Sequence, residues 1–421
     1  MNSLRNRLQQ AVNVRSGEWG QLIAFLILIM LNMIALESAD VVATSSYLGE
    51  VGMNHLPLLW IADMIVILLS SVVYSLIADR FPRRNLLRGL MIGFGLSLLL
   101  IRLLISYGPT NFLYTILYIV VDQQLILFPL SFWALANDSY NVVTSKRLFP
   151  VISAGGLAGN VLGNWFASQA APLLNRWGLV NDDLLFACSL AFFLALPVLT
   201  FAFRKSASTT PSSQQPEQRI DFRETWETGR DFVKNISLFR YLFLVLFLSE
   251  IVLTIVEYHF LAKTTERFTD PFQFQTFYGG YKAVLTIASL LLQLFLAGRL
   301  LEKIGLKNAF FLFPSTLFIG TITAAVFLNF VSAVGASVGT RIMLNSVEGP
   351  ARKSIQGLIP DAKRGRVSTF LDSYVYATGT IVGCLILGGC ILLGQNKLIS
   401  PIAMIILYES LGAIIAAITL L

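Results

Sequence analysis

Long apolar segments recur along the chain, and each is about as long as a helix that crosses a bilayer. Six precede a polar stretch of about 35 residues and six follow it. They lie near 19–45, 56–78, 85–106, 111–136, 148–172, 184–203, 238–262, 274–300, 307–330, 332–349, 367–392 and 400–421. The pattern predicts an all-α polytopic membrane protein with twelve transmembrane helices, because a helix satisfies its own backbone in lipid.

A repeated motif divides these helices into two related halves. Ser75–Arg84 reads S-L-I-A-D-R-F-P-R-R, and Gly298–Lys307, 223 residues later, reads G-R-L-L-E-K-I-G-L-K. Both place an acid, a base and a turn at the end of an apolar run. A G-x-x-x-G step also recurs, at Gly159 and Gly163 and again at Gly379 and Gly383. Such steps let helices pack closely in lipid, so we expect two pseudo-symmetric six-helix bundles.

Polar segments frame the two bundles and predict four regions. Residues 1–18 read as an amphipathic cytoplasmic segment, since leucines at spacing four alternate with arginines. The N-terminal bundle is expected over 19–203 and the C-terminal bundle over 238–421. Between them, 204–237 begins with S-A-S-T-T-P-S-S-Q-Q-P-E-Q, which is typical of a flexible linker, and ends in a short surface helix.

Composition supports the membrane assignment. Hydrophobic residues make up 55% and charged residues 13% of the 421 positions, whereas soluble domains carry about 25% charged residues. Cys188, Cys384 and Cys390 lie in apolar runs, so we expect core residues. There is no Gly-x-Ser-x-Gly, no P-loop and no metal-ligand cluster. An enzyme, a cofactor and a bound metal are therefore not expected.

The basic residues predict the orientation. With the N-terminus in the cytoplasm, 24 of the 31 lie in cytoplasmic segments and 4 in outer loops. The remaining 3, Arg102, Lys282 and Arg341, lie within helices. The positive-inside rule therefore places both termini in the cytoplasm. The net charge of +7 reflects this topology, so we expect no nucleic-acid partner. We predict a monomer in the cell inner membrane, with the lipid bilayer as its partner.

Three further motifs resemble a known family. The two repeated turns resemble the loop signature of the major facilitator superfamily. F-W-A-L-A-N-D at 132–138 and S-K-R-L-F-P-V at 145–151 resemble a segment of the ATP/ADP translocases of plastids and intracellular bacteria, which Lys146 and Arg147 match. The stretch at 277–306 resembles bacterial relatives of that group. The resemblance implies a major facilitator fold, alternating access and a small-molecule substrate such as ATP or ADP.

The chain also departs from that family. The family carries basic residues on the first, second and eleventh helices. Here the corresponding positions are Leu36-Glu37-Ser38-Ala39-Asp40, an apolar position near Trp60, and Gly379-Thr380-Ile381. Bases that would neutralise phosphates are thus missing at three places.

Ionisable side chains inside apolar runs are candidate site residues, because burying them in a bilayer costs a few kcal/mol each. The resemblance implies that helices 1, 4, 7 and 10 face a central cavity, and each carries such residues. The candidates for substrate or proton binding are Glu37, Asp40, Asp122, Glu250, Glu257, Lys282, Arg341, Asn345 and Glu348. Asp372, on the eleventh apolar run, is expected to line the same cavity. The alternative interpretation is that these groups pair with one another and hold helices together, with Asp122 or Glu250 as partners of Arg341. For His259, near the outer end of the seventh apolar run, a structural or interfacial role is favoured over a proton relay.

The signs of these charges leave three hypotheses open. The family resemblance favours nucleotide exchange. Six acids facing only Arg341 and Lys282 instead favour a proton-coupled transporter of a non-nucleotide solute, since phosphates require Arg and Lys. The missing bases also allow a membrane sensor or scaffold that has lost transport.

The repeated turns predict a conformational latch on the cytoplasmic side. Its candidate members are Asp79, Arg80, Arg83, Arg84, Glu302 and Lys303. A carboxylate at a helix end can bind the N-terminus of a neighbouring helix and favour the outward-facing state. Simple topogenic charge is an equal alternative for the arginines.

Asp79→Asn should therefore shift the population toward the inward-facing state. Labelling of single cysteines in the cavity from either side of the membrane measures that shift. Labelling identical to the parent would contradict the latch.

Overall fold

The computed structural model describes residues 18–78, 80–203, 222–297, 302–303 and 305–420. The predicted N-terminal segment up to residue 17, the polar linker 204–221, Asp79 and much of the second repeated turn lie outside the described residues. Within the described part the structure is all-helical, without strands. The first six helices are α1 (Trp19–Glu50), α2 (Leu56–Ala78), α3 (Arg83–Ile105), α4 (Thr110–Ser139), α5 (Val142–Arg176) and α6 (Leu184–Ala202).

The second half has more interruptions. It comprises α7 (Phe222–Asn235), α8 (Ser237–Arg267), α9 (Pro271–Leu292), α10 (Leu306–Val326), α11 (Phe330–Met343), α12 (Gly349–Gln356), α13 (Asp361–Thr369), α14 (Tyr376–Gln395) and α15 (Pro401–Leu420). Three π-helical segments join or extend them: Gln293–Ala297 after α9, Leu344–Glu348 between α11 and α12, and Phe370–Val375 between α13 and α14. Each π segment widens its helix locally, a feature common at functional sites.

The architecture confirms the predicted all-α polytopic membrane protein. Among the described residues, nine helices are long and apolar enough to cross a membrane. α5 is not among them because its first turns carry Lys146 and Arg147 and its interior carries several polar residues. α10 has a shorter apolar part, Phe310–Val326. The number twelve for the spanning helices therefore stays a prediction.

The chain divides into two compact units that do not follow chain order. The first takes its described residues from Met1–Glu50, Val73–Gln218 and Asp270–Thr286. The second takes its described residues from Val51–Val72, Arg219–Thr269 and Ile287–Leu421. Most of α2 thus belongs to the second unit and the first part of α9 to the first.

Glycines bring α1 and α5 together in the first unit. A Cβ atom on Gly159 would lie 2.7 Å from the carbonyl oxygen of Met30, and one on Gly163 would lie 2.9 Å from Cα of Ile34. Gly279 likewise brings α9 against α5, where a Cβ would lie 2.7 Å from the carbonyl oxygen of Asn164. These contacts confirm that the G-x-x-x-G step on α5 is a packing seam.

The second unit is organised around α8. Gly379 and Gly383 of α14 form its seam: Cβ atoms there would lie 2.8 Å from Cβ of Glu250 and 2.9 Å from Cβ of Thr254. α11 and α15 also pack against α8, and α7 and α10 contact it as well. The predicted surface helix is α7, whose Trp226 ring lies 5.4 Å from the ring of Phe370.

Gly163→Ala should destabilise the protein by about 1–3 kcal/mol, because the added methyl group overpacks the seam against Ile34. Thermal melting of the purified chain in detergent measures this as a lower Tm. Gly93→Ala on α3 is the matched control, since a Cβ there meets nothing within 4 Å. Equal melting temperatures for the two variants would contradict the seam.

Candidate functional site

Lys282, on α9, is the centre of an ionic cluster in the first unit. Its ammonium nitrogen lies 2.7 Å from Oε2 of Glu37 and 2.5 Å from Oδ2 of Asp40, both on α1. The Tyr278 ring centroid is 5.8 Å from the same nitrogen, which adds a cation–π contact. Glu37 and Asp40 reach one cation because residues three apart lie on one helix face. Three separately predicted site residues thus form one group.

Glu37 also accepts hydrogen bonds from two amides. Nδ2 of Asn164 donates to Oε2 over 2.9 Å, and Nδ2 of Asn160 donates to Oε1. The hydroxyl of Thr286 on α9 donates to Oδ1 of Asn160 over 2.9 Å. This many donors are needed because the Glu37 side chain is largely buried. Sequence reasoning missed both asparagines, although their spacing of four inside an apolar run was a visible signal.

The glycine seam explains why these short side chains meet. At Gly163 a Cβ atom would lie 3.1 Å from Cβ of Glu37, so the backbones of α1 and α5 approach closely at this level. The hydroxyl of Ser38 donates to the carbonyl oxygen of Gly163 over 2.9 Å. Packing of small residues therefore positions the polar cluster.

Asp122 lies on α4, in the first unit, and is half-buried. The adjacent Gln124 is buried, and its Nε2 donates to Oδ1 of Asn32 on α1 over 3.1 Å. Asp122, Gln123 and Gln124 are three consecutive polar residues in an apolar run, and the last of them forms a contact between α4 and α1.

The second unit holds a separate ion pair between α11 and α8. Nη2 of Arg341 lies 2.7 Å from Oε2 of Glu257, and Nε of Arg341 donates to the same oxygen over 3.2 Å. The arginine side chain is 35% exposed and the glutamate side chain 15%. Sequence analysis named both residues but did not name them as partners. Glu257 meets Arg341 because α8 and α11 pack side by side.

Glu250 lies on α8 beside α14. The hydroxyl of Thr380 donates to Oε1 of Glu250 over 3.5 Å, and Gly379 provides the space for the glutamate stem. At this position, where the family resemblance implies a base, the chain thus provides a hydroxyl, Thr380, beside a carboxylate.

Arg341, Asn345 and Glu348 stand at i, i+4 and i+7, which would align them as a polar stripe on a regular α-helix. In the structure Asn345 is exposed whereas Glu348 is almost fully buried. Both belong to the π segment Leu344–Glu348, which departs from the α-helical repeat. Neither carboxylate oxygen of Glu348 has a hydrogen-bond partner among the described residues.

The tenth predicted helix, near 332–349, continues further than expected and includes another basic residue. α12 extends to Gln356, so Arg352 lies on a helix rather than in a loop. Its Nε is 3.5 Å from Oε1 of Glu348, and its Nη1 is 3.4 Å from Oδ1 of Asp372. Lys353 approaches Oδ2 of Asp372 to 2.5 Å. The prediction that the acids face only Lys282 and Arg341 is therefore wrong, since Glu348 faces Arg352.

Most of the described latch residues are exposed. Arg80, Glu302 and Lys303 are exposed, and Arg83 is half-buried. Nη2 of Arg84 donates to the carbonyl oxygen of Thr200 over 3.0 Å, close to the C-terminal end of α6. Arg84 thus satisfies a carbonyl near a helix end, as basic residues commonly do.

Arg147 is one of the two basic residues that match the ATP/ADP translocase segment, and it also forms an ion pair. Nη2 of Arg147 lies 2.8 Å from Oε1 of Glu18, while Lys146 is exposed.

Tyr140, in the turn before α5, has its pKa raised to about 12 by burial, with a smaller contribution from the charge of Glu18.

A buried group on α15 escaped sequence analysis. Glu409 is fully buried, with Oε1 3.3 Å from Nδ1 of His259, and the hydroxyl of Tyr408 is 2.9 Å from the same nitrogen. His259 is therefore a core residue rather than an interfacial one. The signal for Glu409 was the same as for the other candidates, an acid within an apolar run.

Comparisons with known proteins agree with this architecture. The family model for the TLC ATP/ADP transporter matches residues 100–349. A search of curated proteins finds no match. Among solved structures, a mutant form of the nucleoside transporter NupG is 15% identical with a TM-score of 0.68, covering 94% of this chain and 98% of that chain.

Two other solved transporters share the fold at low identity. A mutant form of the peptide transporter POT is 11% identical with a TM-score of 0.65, covering 95% of this chain and 93% of that one. A bacterial homologue of the iron transporter ferroportin, in an inward-facing state, is 13% identical with a TM-score of 0.65. The match covers 96% of this chain and 99% of that one. The fold is that of the major facilitator transporters. The chain is a multi-pass membrane transporter, and it belongs to the TLC ATP/ADP transporter family.

Proposed function

We propose that this chain carries a phosphate-bearing solute of the nucleotide type across the membrane by alternating access, with Lys282 as an anion contact. One observation carries the proposal. Lys282 is a cation among membrane helices, its side chain is 23% exposed, and it is held by two carboxylates at 2.7 and 2.5 Å. Membership of a family described as ATP/ADP transporters supports the substrate class.

Pairing with carboxylates makes Lys282 suitable for reversible anion binding. A lone cation in a low-dielectric site is costly, so Glu37 and Asp40 stabilise it while no substrate is present. A phosphate offers oxygens of the same kind and can replace a carboxylate in the coordination of the ammonium group. Because the anion replaces an existing partner of Lys282, its net free energy of binding is smaller. This favours its release on the other side of the membrane.

The amides on α5 make this exchange less costly. Asn160 and Asn164 donate to Glu37 independently of Lys282. If the ammonium group turned toward a substrate, Glu37 would keep both donors and would not become an orphaned buried charge. Asp40 has a side chain 21% exposed, so it can retain water as a partner.

Arg341 is a separate candidate anion contact, within the second unit. Its guanidinium group can form the two parallel hydrogen bonds that phosphates favour. Glu257 occupies the Nε and Nη2 side of that group at 3.2 and 2.7 Å, so a phosphate would compete with the glutamate there as well. Substrate release would restore the same ion pair.

The remaining parts of the proposal concern setting and assembly. The distribution of basic residues supports a cell inner membrane location with both termini cytoplasmic. We propose a monomer, because each unit has its own glycine-packed core.

A second candidate function is a proton-coupled transporter of a non-nucleotide solute. Two carboxylates face the single ammonium group of Lys282, and this excess of one acid favours it.

Counterflow in proteoliposomes tests the substrate. Vesicles containing the purified chain and unlabelled ADP should accumulate labelled ATP, and Lys282→Met should lose most of that flux. Lys282→Arg, which keeps the charge, should retain part of it. Lys234→Met, which removes an exposed cation on α7, is the control. Absence of nucleotide flux in the parent protein, together with pH-driven uptake of another solute, would favour the second candidate function.

The cost of breaking the cluster can be measured separately. Lys282→Met leaves two carboxylates without their cation and should lower stability by up to about 3 kcal/mol. Adding Glu37→Gln and Asp40→Asn should recover most of that loss. Thermal melting in detergent of the parent, Lys282→Met, the Glu37→Gln/Asp40→Asn double variant and the triple variant measures the coupling. Simple additivity of the three changes would show that the ion pairs contribute nothing to the fold.

A further inference from the structure

A second buried pair, distant in sequence from the groups proposed to bind the anion, lies between α8 and α15 of the second unit. His259 is 1% exposed and Glu409 is 0% exposed, and Nδ1 of the histidine is 3.3 Å from Oε1 of the glutamate. The hydroxyl of Tyr408 lies 2.9 Å from the same nitrogen. The three side chains therefore form one enclosed group.

The pair lacks the hydrogen bonds that would stabilise separate charges. Among the described residues, both carboxylate oxygens of Glu409 and Nε2 of His259 have no hydrogen-bond partner. A buried carboxylate with no donor is stable only beside a cation or as a neutral acid. A proton must therefore reside on the pair, either on the imidazole beside a carboxylate or on the carboxyl beside a neutral imidazole.

This pair differs from the ion pairs of Lys282 and Arg341. In those pairs the cation is an ammonium or a guanidinium group. An unperturbed imidazole changes its charge between about pH 5 and 8, and a glutamate beside it can exchange a proton with it. The His259–Glu409 pair is thus chemically able to gain and lose a proton during a cycle.

Titratable neighbours lie on three helices. α8 contributes Tyr258 and, beyond His259, Lys263 and Glu266; α15 contributes Tyr408; and α14 contributes Cys390. On α11, Arg341 is bound to Glu257. Where α10 packs against Gly412 of α15, it presents Thr321, which is not titratable.

One face of α8 connects the pair with the surface. Lys263 follows His259 at i+4, and its ammonium nitrogen is 2.7 Å from Oε2 of Glu266. The Glu266 side chain, at i+7, is 61% exposed. Residues at these spacings lie on the same side of a helix. A line of polar groups therefore leads from the buried pair to water.

We propose that His259 and Glu409 form a proton-binding site that couples transport to a proton gradient. The proposal rests on the transport function proposed above but uses residues that the anion contacts do not include. The proton is held out of contact with water in this conformation, as coupling requires, and is exchanged when the helices around it rearrange. Tyr408 positions the imidazole through its hydroxyl group.

Transport under an imposed pH gradient tests the coupling. One proton per cycle raises the accumulation ratio about tenfold for each pH unit across the membrane. Proteoliposomes with the parent chain should show this increase for labelled ATP. Glu409→Gln and His259→Gln should lose it while retaining counterflow without a gradient. Tyr258→Phe is the matched control for Tyr408→Phe, because the Tyr408 hydroxyl lies 2.9 Å from Nδ1 of His259.

A measurement without transport keeps the site testable by itself. Infrared difference spectra of the purified full chain between about pH 4 and 9 should contain a carboxyl band. That band should disappear in Glu409→Gln and shift in His259→Gln. A spectrum unchanged by Glu409→Gln would overturn the proton site, and so would a full gradient response in that variant. If the parent chain moves no nucleotide, the proposed function fails, while the infrared result still decides the site.

Discussion

The high cost of an isolated charge in a low-dielectric interior governs how these helices are arranged. In the described part of the chain, Lys282 joins α9 to α1, Arg341 joins α11 to α8, and Arg352 joins α12 to Glu348 and Asp372. Helix association in lipid lacks the hydrophobic driving force that acts in water. Ion pairs, together with glycine seams that allow close approach, therefore hold these helices together.

The same pairing brings together two aspects of the chain that otherwise conflict. Its membrane helices are rich in acids, although it belongs to a family described as ATP/ADP transporters. Acids paired with bases do not form a repulsive field for an anion; under the proposed function they hold the bases in place until the anion replaces them. A site of this kind has a small net charge, and its affinity depends on exchange of partners rather than on bare Coulomb attraction.

Much of the fold could be predicted from local features. Runs of about 20 apolar residues predicted the helices, and glycines at spacing four predicted the seams on α5 and α14, because both depend on residues near in sequence. The partners of charged residues could not be predicted this way, since Lys282 and Asp40 are 242 residues apart. The π segment at Leu344–Glu348 was invisible to an argument from α-helical periodicity. Arg352 was assigned to a loop for a similar reason, since its helix extends beyond the apolar run.

The distance along the chain between Asp40 and Lys282 has a consequence for biosynthesis. α1 is made first, yet the cation for its two carboxylates follows 242 residues later. At about 5–20 residues per second, roughly 10–50 s separate the two events. During that interval Glu37 and Asp40 depend on other partners, such as the α5 amides, water or protons. The first unit is complete only after part of the second has been synthesised, so the two units cannot mature as independent, sequential folding events.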